Sequence, residues 1–144
     1  GEKIYIGGTL AANPITTAAC YYALRLMEEH DAPGKAAAYA DRLTKAMNDL
    51  FSTRPDLGFF VYNFGPIMHY VTTSFFSIDL SQPDAFTQIM SRKQAADDYQ
   101  MVTTAHGLCT LAGTRMYTCM QHDDEALAKT IETWEYLLSL IPKA

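Results

Sequence analysis

Charge is scarce in this chain, and what there is leans acidic. Asp, Glu, Lys and Arg make up 19% of its 144 residues, the net charge is −5, and no stretch concentrates lysine and arginine. Neutralising nucleic-acid phosphates takes a basic face, so that class of partner is excluded. Long apolar runs are missing, and so is a signal-peptide pattern, which leaves no bilayer-crossing segment to expect. Cys20, Cys109 and Cys119 are odd in number and lack metal-ligand spacing. They point to a reduced, cytoplasmic setting, and Cys109 and Cys119 read as small buried apolar residues. The histidines show no ligand spacing, so no metal is expected. Internal repeats and low-complexity tracts are absent. No initiator methionine stands before Gly1-Glu2-Lys3, and the chain is expected to be the C-terminal segment of a longer polypeptide.

Apolar and aromatic residues are plentiful. Hydrophobic residues reach 49%, with nine Tyr and seven Phe. That suffices for one core, and part of the aromatic surface is expected to face another domain or protomer. Ile15, Ala19, Tyr22 and Leu26 fall at helical spacing, predicting an amphipathic helix over 14–29. A second helix is expected over about 35–53, with Tyr39, Leu43, Met47 and Leu50 on one face. Residues 59–63, 67–71 and 75–78 are branched and aromatic, the composition of short strands. A helix follows over about 85–104, with Phe86, Ile89, Ala96 and Tyr99 sharing a face. Leu108–Leu111 and Thr114–Met120 read as strands. The last helix starts near Asp123 and Asp124, buries Leu127, Ile131, Trp134 and Leu138, and stops at Pro142. The fold class is therefore α+β, with helices on a small, mainly antiparallel sheet.

The segment that says most about chemistry is Gly7-Gly8-Thr9-Leu10-Ala11-Ala12-Asn13-Pro14. Two glycines free the backbone, a threonine hydroxyl follows, and Asn-Pro caps and opens a helix. Such a donor-rich turn suits an anion such as a phosphate. The order Gly-Thr-Leu-x-x-Asn-Pro resembles the start of the C-terminal part of class III aminotransferases, which use pyridoxal 5'-phosphate (PLP). It is most similar to the glutamate-1-semialdehyde 2,1-aminomutase branch. The order of the remaining elements fits the same small domain, so the resemblance spans nearly the whole chain.

The resemblance implies a fold like the C-terminal domain of fold-type I PLP enzymes. Residues 1–13 would be a lead-in and phosphate-contacting turn, and 14–144 the small domain. It implies a homodimer in which Gly8 and Thr9 bind the phosphate of the cofactor held by the other protomer. Ala11-Ala12 departs from the family's usual Ser-Gly, so no serine contact is carried over to position 11. Arg115 is a candidate for a substrate carboxylate, although it reads first as a surface or interface residue. His106 is a candidate at the substrate mouth, although a histidine before Gly107 reads first as a helix end. His69 reads as a packed histidine, and His30 and His122 as surface residues in turns. The lysine that forms the Schiff base with PLP belongs upstream of the turn, where only Lys3 stands, too close. The chain therefore holds no catalytic residue and is expected to be inactive alone. The expected function is that of a segment of a class III aminotransferase or aminomutase acting on a small amino acid or amine. A second reading is a stand-alone, non-catalytic α+β interaction or ligand-binding module.

Overall fold

The computed structural model describes Gly8 and residues 13–72 and 78–143. These fall into two compact units, divided between Ala32 and Pro33.

The first unit holds α1 (Pro14–Glu29). Its start follows from the sequence: the Asn13 carboxamide oxygen accepts hydrogen bonds from the Ile15 and Thr16 amides at 3.0 and 3.3 Å, and Pro14 opens the first turn. The stripe of Ile15, Ala19, Tyr22 and Leu26 forms, but none of α1's side chains is buried. Large apolar residues lie on several sides of the helix, among them Tyr21, Leu24 and Met27, so the apolar surface is broader than one stripe.

The second unit is an α+β layer. It runs α2 (Ala32–Phe51), a short 3-10 turn (Pro55–Leu57), β1 (Phe60–Phe64), β2 (Ile67–Val71), α3 (Ala85–Ala105), β3 (Arg115–Tyr117) and α4 (Asp124–Leu140). The strands form one antiparallel sheet in the order β1-β2-β3. Gly65 (φ +55°) and Pro66 join β1 to β2 in a two-residue turn, with Phe64 opposite Ile67. Glycine at the first position of such a turn supplies the positive φ that matches strand twist.

Alternation divides the sheet cleanly. Val61, Met68, Tyr70 and Met116 point inward and pack with Tyr39, Leu43, Met47 and Phe51 of α2 and with Trp134, Leu137 and Leu138 of α4. Trp134 is fully buried, its ring edge-on to Phe51 at 5.2 Å and to Tyr70 at 5.0 Å. The edge of β1 is closed by a side chain. Asn48 of α2 donates to the Val61 carbonyl and accepts from the Val61 amide, both at 2.8 Å, imitating a neighbouring strand. Arg54 holds the other end of the core. Its guanidinium donates to the carbonyls of Leu138, Ile141 and Pro142 and to the Asp56 carboxylate. The carbonyls left open at the end of α4 are satisfied in this way.

Four expectations are corrected. Leu108–Leu111 is no strand, because α3 takes its backbone groups: the Leu108 amide donates to the Thr103 carbonyl, and the Gln100 carboxamide donates to that of Thr110. Only a bridge between Leu111 and Arg115 remains, closing a tight turn through Ala112 and Gly113, both at positive φ. The strand expected over 114–120 shortens to three residues, since Cys119 to His122 already turn toward α4. On α3, Ala96 and Thr103 are buried while Phe86 is 72% exposed. The helix meets the core through Ala96, Tyr99, Val102 and Thr103, toward its C-terminal half, and Phe86 at its start faces outward. Cys109 and Cys119 are exposed because they sit in these connecting segments and not in strands. Residues 75–77 of the third expected strand lie outside the described residues, and Ile78 is in no strand.

Candidate functional site

Gly8 is exposed, and a methyl group added at its Cα would meet nothing within 4 Å. That open backbone is what close approach of an anion requires. Thr9 lies outside the described residues. The Asn13 cap consumes the Ile15 and Thr16 amides, so these helix-end donors are not offered to a ligand. Any anion contact at this turn would fall to the glycine and threonine that precede the cap.

Arg115 opens β3 on the sheet's outer face, away from the helices. It stands opposite His69, which stands opposite Tyr62. The His69 and Tyr62 rings stack at 5.3 Å with planes only 8° apart, so His69 is packed as its strand position suggested. Phe60, Phe64, Ile67 and Tyr117 share this face, and each is more than a third exposed. The outer face is thus an aromatic sheet surface whose charge-bearing residues, Arg115 and His69, are both basic. Among the described residues Arg115 has no ion pair.

His106 caps α3, its amide donating to the Val102 and Thr103 carbonyls. Its ring lies 4.6 Å from that of Tyr136 on α4, which is the helical side of the layer. Arg115 and His106 are therefore on different sides of the sheet and do not form one site.

Sequence reasoning missed a third cluster. His122, read as a surface turn residue, accepts a hydrogen bond from the Cys119 amide at its Nδ1 (2.9 Å) and stacks on Tyr39. Burial raises the Tyr39 phenol above its ordinary pKa, helped by the Asp123 carboxylate and opposed by Arg42. The residues come from α2 and from the turn before α4, far apart in sequence, and no local motif marks them.

No family model, curated protein or solved structure matches the chain, so its own residues carry the functional argument. No described helix is long and apolar enough to cross a membrane.

Proposed function

We propose that this chain is the C-terminal small domain of a PLP-dependent class III aminotransferase or glutamate-1-semialdehyde-like aminomutase. The observation that carries the reading is the sequence Gly7-Gly8-Thr9-Leu10-x-x-Asn13-Pro14, followed by a helix that Asn13 caps. The α+β layer that follows, helices on a small antiparallel sheet, supports the reading at the level of fold class. The residues present fit a phosphate contact: Gly8 is open to close approach, and a threonine hydroxyl and amide follow it. They do not supply the lysine chemistry.

PLP, when bound, supplies the electron sink for amino-group exchange. This chain's part is to donate hydrogen bonds from Gly8 and Thr9 to the phosphate ester across a dimer interface. Donors meeting a dianion form charge-assisted bonds, stronger than neutral ones. Arg115 would meet a substrate carboxylate only if the outer sheet face lines the substrate mouth. Thr9→Ala in the lysine-bearing protein is expected to weaken cofactor affinity by about tenfold or more, since a hydrogen bond to a charged group contributes about 1.5–3 kcal/mol. Unchanged affinity contradicts the assignment.

The second reading, a non-catalytic interaction module, is favoured by one observation, the exposed aromatic face of the sheet. The reading frame separates the two. An upstream lysine-bearing domain supports the enzyme, and a genuine start codon near Gly1 supports the module.

A further inference from the structure

A cleft of about 360 Å³ opens between α2, α4, the end of β3 and the loop at 107–109. That is room for a small organic molecule. Its apolar floor is Leu43, Leu108 and Met116, and its polar residues include Tyr39, His122 and Lys129. Two threonine hydroxyls on its wall are already committed. Thr118 donates to the Ala36 carbonyl and Thr130 to that of Ala126, each at 2.8 Å.

The other polar groups are not so committed. Tyr39 is only 5% exposed, yet its hydroxyl makes no hydrogen bond among the described residues. The hydroxyl is not among the side-chain polar atoms sealed from solvent, so it faces the cleft's water and can exchange that water for a ligand acceptor. His122 Nδ1 lies 2.9 Å from the Cys119 amide and 3.3 Å from the Cys119 carbonyl oxygen; in the tautomer that accepts from the nearer amide, the ring proton is on Nε2 as a donor. Stacking at 5.0 Å and 24° holds that ring against Tyr39. Among the described lining residues Lys129 is the one that is formally charged. Its partner Glu132, 3.1 Å away and itself 71% exposed, is a surface neighbour one helical turn along, a pairing that contributes little. Among the described residues no carboxylate lines the cleft. Asp123 and Asp124 act on Tyr39 from outside it, and Asp124 is paired with Arg42.

Three side-chain donors, one of them cationic, beside an apolar floor and with no carboxylate among the described lining residues suit a ligand with an anionic acceptor head and a hydrocarbon tail. We propose that this cleft binds a small carboxylic acid. Its carboxylate is held by Tyr39, His122 and Lys129, and its tail lies over Leu43, Leu108 and Met116. The site is independent of the cofactor reading and is tested without it.

The probe is hexanoate, with hexanamide as its neutral counterpart, titrated into the 144-residue chain and followed by the methyl NMR signals of Met116 and Ala126. Saturable shifts with hexanoate are expected, with hexanamide about tenfold weaker and Lys129→Gln reducing hexanoate affinity about tenfold, the size of one lost charge-assisted contact. Tyr39→Phe keeps the ring stacked on His122 and is expected to weaken hexanoate several-fold. The proposal is overturned by shifts that never saturate, by shifts confined to other methyl groups, by equal affinity for the amide, or by a Lys129→Gln chain that binds hexanoate as tightly as the parent.

Discussion

At Gly113 the backbone turns with φ of +66°, and a Cβ there would lie 2.5 Å from the Ala96 carbonyl oxygen. Two costs therefore coincide in Gly113→Ala, a left-handed conformation and a clash with helix backbone that has little freedom to move. Gly58 has a similar φ of +63° but open space around it. Thermal unfolding is expected to show a loss of about 3 kcal/mol or more for Gly113→Ala and about 1 kcal/mol for Gly58→Ala. Equal losses would mean that the close approach of α3 does not matter. Tyr70 makes a different prediction. Burial pushes its pKa from 10.0 up to about 12, and the nearby Thr110 hydroxyl offsets only part of this. Neither hydroxyl has a hydrogen-bond partner of good geometry. Because the folded pKa lies above the unfolded one, the neutral phenol's contribution is complete below pH 10 and is lost as pH rises through about 12. Tyr70→Phe is expected to change neutral-pH stability by no more than about 1 kcal/mol and to flatten the alkaline loss of stability. A large neutral loss in denaturant titration would show that the hydroxyl is bonded after all.

Among the elements, the ends of α1 and the pair β1–β2 could be read directly from residues. Asn13-Pro14 and the turn at His30 bound the helix, and Gly65-Pro66 splits two branched, aromatic runs. The start of α4 was equally legible, since the Asp123 carboxylate accepts the Ala126 amide at 2.9 Å. The segment 108–111 was not legible, because its composition suits a strand while its backbone bonds are taken by α3. The edge cap was hidden for a related reason: nothing local tells that the Asn48 side chain will bond the Val61 backbone. Asn48→Ala strands a buried amide and carbonyl and reopens the edge of β1. A loss of about 2–3 kcal/mol in chemical denaturation is expected, with faster amide exchange at Val61 and a greater tendency to associate. Stability and exchange matching the parent would show that solvent or a neighbour replaces the cap.

For the molecule as a whole, the inner side of the sheet is a closed core, and the outer side presents Tyr62, His69, Arg115 and Tyr117. The candidate residues divide in the same way. Arg115 was visible as an odd arginine among strand residues, and His106 as a histidine before glycine, but their separation across the sheet follows from register and helix packing. The cleft residues Tyr39, His122 and Lys129 meet only after α2 and α4 pack, so no spacing in the chain announces them. The motif around Gly8 is the reverse case, a pattern carried by adjacent residues of the sequence. The most direct measurement is PLP affinity of the lysine-bearing parent protein with Thr9 and with Thr9→Ala. The account predicts a clear drop in affinity for the variant while the dimer persists. Equal affinity in the two proteins would contradict it.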